Sequence, residues 1–268
     1  MNGRVLIVAG SDSGGGAGIQ ADIKTVTALD GFAMTAITAM TAQNTLGVHG
    51  VSPVDIDFIQ IQMRVVLEDI GTDSIKTGML HSAEVIEAVC SVAEKEASGI
   101  PLVVDPVMVA KGGASLLDTD AVATLRDRLL PLAGVITPNI PEAEALLGIE
   151  ISGLDDMKAS AERLVSLGPP AVLVKGGHMD GHVLTDVLLD ADGFHLFETE
   201  RVDTVHTHGT GCTMASAIAT GLAQGIGLPA AVGRAQAYVA AAIRGAPGYG
   251  SGHGPIDHGH TVLPFDGG

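Results

Sequence analysis

Val5-Leu6-Ile7-Val8-Ala9-Gly10-Ser11-Asp12, followed at once by Gly14-Gly15-Gly16-Ala17-Gly18, sets the pattern of the chain. An apolar run of strand length ends in a polar residue and a glycine turn. Similar short runs return at Met34 to Ala39, Leu102 to Val104, Val135 to Thr137 and Ala171 to Lys175, with amphipathic stretches between them. Asp55 to Ile70 shows the helical period well, with Ile56, Ile59, Met63, Val66 and Ile70 on one face. Strand alternating with helix, through connections marked by Gly or Pro, predicts an α/β fold with a mostly parallel central sheet and helices on both faces. Val183 to Leu189 and Phe194 to Glu198, joined by Asp190-Ala191-Asp192-Gly193, predict an antiparallel hairpin at the sheet edge late in the chain.

The length of 268 residues suits one large domain, taken here as residues 1–268. Aromatic residues are only 3 % and Trp is absent, so the core must be built from Ala, Val, Ile, Leu and Met, as parallel sheets usually are. Two cysteines, Cys90 and Cys212, do not suggest a disulfide framework; Cys90 falls on an apolar helical stripe with Ile86, Val89 and Ala93 and reads as a packing residue. With 14 Lys and Arg against 31 Asp and Glu, the net charge of −17 repels a nucleic-acid backbone. No apolar run reaches the length of about 20 residues that spans a bilayer, and no cleavable leader pattern opens the chain. A soluble cytoplasmic protein without nucleic-acid or membrane partners is the expectation.

Open α/β sheets bind ligands beyond the carboxyl ends of their strands, which makes the polar residues there the first candidates. Asp12 follows the first strand, Gln43 and Asn44 the second, and Asp105 ends Val103-Val104-Asp105-Pro106. Asn139 and Glu142 follow another strand, and Lys175 ends Val174-Lys175-Gly176-Gly177-His178. Any one of the carboxylates could equally be a helix N-cap; their recurrence favours a site.

His206-Thr207-His208-Gly209-Thr210-Gly211-Cys212-Thr213 adds an anion site to this list, because it leads into a helix marked by Met214, Ala217, Ile218, Gly221 and Leu222. Free N–H groups and the helix dipole at such a start attract phosphate. The same position lowers a thiol's pKa, which would make Cys212 reactive, whereas an unpaired cysteine can also be plain packing. The Gly14 to Gly18 run fits neither the dinucleotide spacing nor a P-loop, although it permits close backbone approach to a ligand. His253, His258 and His260 lack a zinc spacing and read as surface or packing near a site edge, and His178 and His208 read as local hydrogen-bonding residues.

Taken in order, these segments resemble the bifunctional hydroxymethylpyrimidine kinase and hydroxymethylpyrimidine phosphate kinase of thiamine biosynthesis, within the ribokinase-like superfamily. The matching stretches are Ala9 to Asp12, Gly15 to Asp22, Thr41 to Thr45, Thr77 to Leu80, Asp105 to Met108, Thr137 to Asn139 with Glu142, Lys175 to His178, Thr207 to Cys212, and Gly254-Pro255. The resemblance implies transfer of the ATP γ-phosphoryl group to 4-amino-5-hydroxymethyl-2-methylpyrimidine and then to its monophosphate, with Mg2+, in a homodimer whose interface the late hairpin could join. It implies that Gln43 hydrogen-bonds the pyrimidine and that Gly10, Ala17, Asp22, Met79 and Val107 shape its pocket. Gly209, Thr210, Gly211 and Cys212 would form the anion hole. Asn139, Lys175 and Asp105 would lie along ATP, with Glu142 and Asp105 near magnesium, mostly through water. Related sugar kinases carry Asp where Cys212 stands, so the thiol is the candidate base.

One departure stands out. Many members of the resembled family carry Lys, facing the phosphates, where this chain has Gln236, and the missing charge is expected to weaken the second phosphorylation more than the first. Lys111 could supply a cation from its loop, although a solvated loop lysine is the more ordinary reading. Two other functions fit the same residues: a pyridoxal or pyridoxine kinase of the same fold, and a non-catalytic pyrimidine sensor that keeps the pocket without the chemistry.

Overall fold

The computed structural model describes residues 1–108, 119–179 and 181–264. Lys111 and its loop therefore lie outside the described residues. Nine strands form one sheet: β1 (Arg4–Asp12), β2 (Phe32–Asn44), β3 (Gly47–Pro53), β4 (Ser74–Thr77), β5 (Leu102–Val104), β6 (Val135–Ile136), β7 (Val172–Val174), β8 (Val183–Asp190) and β9 (Gly193–Glu200). Among the described residues eight α-helices accompany them: α1 (Gly18–Ala28), α2 (Ile56–Asp69), α3 (Ala83–Glu96), α4 (Thr119–Thr124), α5 (Ile140–Leu147), α6 (Leu154–Val165), α7 (Thr210–Ala223) and α8 (Leu228–Arg244). The sheet order is β3-β2-β1-β4-β5-β6-β7-β8-β9. All pairings from β2 through β7 are parallel, and β8 and β9 form the expected antiparallel hairpin at one edge, with Asp190 opposite Gly193.

The alternation of the strands divides the core into two layers. Leu6 and Val8 of β1 face a cluster built on α2, α3, α5 and α6, while Val5, Ile7 and Ala9 face α1, α7 and α8. Cys90 is fully buried in the first layer, as its stripe predicts, and both cysteines are free. On α2, capped by Asp55, the stripe is narrower than its periodicity suggests: Ile59 and Met63 are buried, while Ile56 and Ile70 at the helix ends stand exposed. Among the described residues no helix is long and apolar enough to cross a membrane.

Two strands lack the apolar run that would announce them. β3 pairs antiparallel with the end of β2 and is mostly solvent-exposed, so it carries no buried face for the sequence to reveal. β4 is fully buried, yet it reads Ser-Ile-Lys-Thr; its lysine is inside because a carboxylate waits for it on α1.

The C-terminal segment braces the start of α7. His208 donates its backbone N–H to the carbonyl of Gly254. Buried His258 lies 3.0 Å from Thr213 Oγ1. Because that hydroxyl already donates to the Gly209 carbonyl at 2.8 Å, it must accept here, which places a proton on His258 Nε2. Burial, helped by Lys24, pushes the His258 pKa down to about 4. The unfolded imidazole gains its proton near pH 6.5 and the folded one resists until about 4, so stability falls as pH drops through that window. The interval corresponds to roughly 3 kcal/mol. A His258→Gln variant retains an N–H donor and does not titrate. In urea titrations, the stability of the wild type relative to this variant should decline by roughly that amount between pH 7 and pH 4; an unchanged difference would show that His258 is not the group responsible.

Candidate active site

Beyond the carboxyl ends of the strands lies a cavity of about 950 Å3. Its wall gathers residues that are scattered in sequence: Gly10, Ala17, Gln43, Met79 and Val107 at one end, and Asp105, Asn139, Glu142 and Lys175 beside the turn Gly209 to Cys212. That size suits a small ring together with a larger ligand. Gln236, from α8, and His178 and His253 also line it. Residues from the edge hairpin and its outgoing chain, Thr199, Arg201, Val202 and Val205 among them, also line it. These last were missed because nothing in the sequence of an edge strand shows that it borders a cavity.

Asp22 corrects the expected layout. It is fully buried and is absent from the cavity wall, because both of its oxygens accept hydrogen bonds from Lys76 Nζ at 2.9 Å and Oδ1 accepts another from Ser216 at 2.6 Å. Asp22 therefore stands behind the cavity wall and holds Lys76, which does line it. Lys76, unnoticed in the sequence, reaches the cavity from β4. Burial alone would depress the Lys76 pKa, but Asp22, aided by Asp105, raises it above the ordinary lysine value, so the ammonium stays charged beneath the turn.

The turn itself has the geometry of an anion site. Gly209 is left-handed at φ 87°, and a side chain there would overlap the Gly16 carbonyl, since a Cβ would stand 1.8 Å from that oxygen. The chain then enters α7 with the first N–H groups of the helix free of intrahelical partners. A Cβ on Gly211 would lie 3.4 Å from Lys175 Nζ and 3.7 Å from Asp105 Oδ2, so the bare glycine lets the turn face both groups.

Lys175 donates to Asp105 Oδ1 at 3.1 Å, and Thr137 Oγ1 donates to the same oxygen at 3.2 Å. Asp105 Oδ2 is buried without a protein partner. Asn139 caps α5 in a capping box with Glu142: the Asn139 side chain accepts from the Glu142 N–H at 2.9 Å, and the Glu142 carboxylate accepts from the Asn139 N–H at 2.8 Å. Glu142 thus takes part in a helix cap and also lines the cavity. Burial, opposed by Lys175 and reinforced by Asp105, pushes its pKa up to about 7.

Cys212 departs from the expectation of a reactive thiol. Enclosure in the cavity wall pushes its pKa up to about 12 even though Lys76 pulls the other way, because Asp22 and Asp105 add their negative charge. The desolvation cost of a thiolate here exceeds what a helix N-terminus supplies. His208, by contrast, has the local role read from its sequence context, bonding Asp12 at 3.0 Å.

The sequence profile of the family described as phosphomethylpyrimidine kinase matches residues 12–257. The chain is 53% identical over 256 residues to the thiamine biosynthesis bifunctional protein ThiED of Geobacter sulfurreducens, covering 96% of this chain and 52% of that protein, and so spans about half of that relative's length. It is 50% identical to the hydroxymethylpyrimidine/phosphomethylpyrimidine kinase of Bacillus subtilis, covering 95% of this chain and 94% of the relative. Among solved structures, an ADP complex of Bacillus subtilis pyridoxal kinase superposes with a TM-score of 0.91 at 37% identity, over 98% of this chain and 100% of that one.

The buried pair under the turn offers a test that needs no ligand. Replacing Lys76 by Met leaves Asp22 as an uncompensated charge in the core, and unfolding free energy should fall by about 3–5 kcal/mol. Adding Asp22→Asn to Lys76→Met removes the stranded charge, and urea titrations should show part of that loss recovered.

Proposed function

The chain belongs to the phosphomethylpyrimidine kinase family, and on that premise we propose that its cavity transfers the terminal phosphoryl group of ATP to 4-amino-5-hydroxymethyl-2-methylpyrimidine and then to the resulting monophosphate, in thiamine biosynthesis. The observation that carries this reading is the juxtaposition of Lys175, Asp105 and the start of α7 around the bare face of Gly211. A transferring phosphoryl group placed there meets backbone N–H groups and an ammonium without having to reorganise them. Gln43 offers a polar edge to the pyrimidine, and Gly10, Ala17, Met79 and Val107 offer close apolar contact with its faces. Asn139 and Lys175 lie where the polyphosphate chain of ATP would run.

The unpartnered Asp105 Oδ2 and the nearby Glu142 carboxyl fit a magnesium ion, which prefers hard oxygen ligands and keeps much of its water. Bound with ATP, the ion would neutralise phosphate charge. Glu142 near pH 7 loses its proton readily when a cation arrives.

Cys212 points at the same space, but a thiol with a pKa near 12 is almost wholly protonated at neutral pH. It serves chiefly to orient the substrate hydroxyl. That suffices, because phosphoryl transfer passes through a loose transition state in most analyses, in which removal of the hydroxyl proton contributes little.

Gln236 donates to the Phe197 carbonyl at 3.0 Å and to Asp186, which anchors it to the edge hairpin. It supplies no charge to the phosphates. The whole chain acts as one kinase domain in the cytoplasm, as a homodimer. For the dimer contact, exposed apolar residues are offered both by α2 and β3, with Phe58, Ile61, Val65 and Val51, and by the late hairpin, with Val183, Phe194 and Leu196.

The close superposition on a pyridoxal kinase supports a second reading, phosphorylation of pyridoxal. The higher identity to proteins named for the pyrimidine favours the first. A sensor without chemistry has no use for an ammonium and a free carboxylate oxygen aimed at the anion turn.

ATP consumption with magnesium, offering hydroxymethylpyrimidine, its monophosphate and pyridoxal separately and identifying products by mass, should show turnover of both pyrimidines. Preference for pyridoxal would establish the second reading, and binding without turnover the sensor. Cys212→Ser should cost roughly tenfold in kcat, whereas Asp105→Asn or Gly209→Ala should cost on the order of a hundredfold or more. Gln236→Lys should lower KM for the monophosphate more than for the alcohol, measured by the same assay.

A further inference from the structure

Asp12 is a buried carboxylate that the phosphoryl-transfer scheme does not use, and it is among the most heavily bonded groups in the molecule. Its Oδ1 accepts from the Gly14 N–H at 2.8 Å. Its Oδ2 accepts from Gly16 N at 3.0 Å, Ala17 N at 2.8 Å and His208 Nε2 at 3.0 Å. The Gln43 side chain also donates to it. Burial alone would raise its pKa, but these donors outweigh burial and hold it down to about 2, so it is an anion at any working pH. An ionised carboxylate only accepts, which requires His208 Nε2 to carry a proton.

Three of these partners join two parts of the site. Ala17 and Gln43 belong to the ring end of the cavity, and His208 directly precedes the glycine that opens the anion turn. The two loops also touch along their backbones. A Cβ on Gly16 would stand 2.6 Å from the His208 ring, and one on Gly209 would stand 1.8 Å from the Gly16 carbonyl. The close approach leaves no room for a side chain on Gly16 or Gly209, and the Asp12–His208 bond ties the two loops across 196 positions of sequence, alongside the Gly18 N–H that the Cys212 sulfur accepts.

We propose that Asp12 and His208 form a positioning pair that registers the phosphoryl-binding turn on the glycine loop of the ring pocket, so that their contact helps set the distance between the acceptor hydroxyl and the transferring group. Neither side chain touches the reacting atoms. The pair acts through the position of the Gly209 to Cys212 turn, and in-line transfer is sensitive to that position: a displacement of about 1 Å can cost about a hundredfold. Each substrate still finds its own half of the site when the tie is broken. The loss therefore belongs to kcat and leaves binding nearly intact. This inference rests on the kinase reading above.

Steady-state kinetics of His208→Met and His208→Gln test it. Met approximates the imidazole in volume and has no donor; Gln keeps an N–H for Asp12. His208→Met should lower kcat for hydroxymethylpyrimidine by roughly tenfold to a hundredfold, with KM for both substrates and the Kd of a non-hydrolysable ATP analogue within about threefold of wild type. His208→Gln should recover most of the lost kcat. Unchanged kcat in His208→Met would overturn the proposal. So would a loss that Gln fails to restore, or one that appears in KM and Kd in place of kcat. Absence of pyrimidine turnover by the wild type would instead overturn the kinase reading, which keeps the two failures apart.

Discussion

A chain with net charge −17 that handles polyphosphate must create positive potential locally, and the rest of the site follows from that constraint. Its few lysines could not do so in the open. Lys76 is sealed under the turn and held charged by Asp22, and Lys175 is held beside Asp105. The remaining positive character comes from the backbone N–H groups at the start of α7, which add partial charge without adding a titratable cation. Backbone donors need exact placement, and this explains why the turn is braced from several sides. The glycine loop meets it through Asp12 and His208, and the C-terminal segment through Gly254 and His258.

The same constraint accounts for the behaviour of Cys212. A thiolate beside Asp22 and Asp105 in an enclosed wall would add negative charge where the substrates already bring it, and the site keeps the thiol neutral. The chemistry is left to geometry and electrostatics. Dense buried hydrogen bonding around the turn is consistent with that division of labour, since a preorganised environment stabilises developing charge without moving at the moment of reaction.

Much of this was legible in the sequence. The alternation of apolar runs and amphipathic stretches announced a parallel sheet because its strands bury both faces, and β1, β2, β5, β6 and β7 fall where those runs lie. The polar residues closing those runs, Asp105 and Lys175 above all, do line one cavity. What stayed hidden depends on partners distant in sequence. Lys76 drew no attention because its partner Asp22 lies on another element, and Asp22 was expected in the pocket because only the fold shows that its oxygens are already occupied by Lys76 and Ser216. The direction of the Cys212 shift could not be read either: a helix start is a local feature, whereas the desolvation that outweighs it comes from the assembled wall. β3 carried no signal, since an exposed edge strand buries no face.

The most direct test of the central claim is a crystal structure with magnesium, a non-hydrolysable ATP analogue and hydroxymethylpyrimidine bound together. The terminal phosphate should rest on the N–H groups of Thr210 to Cys212 beside Lys175, with the pyrimidine between Gln43 and Met79 and its hydroxyl directed at that phosphate. A phosphate chain bound away from the start of α7, or a ring seated outside the Gln43 end of the cavity, would contradict the account.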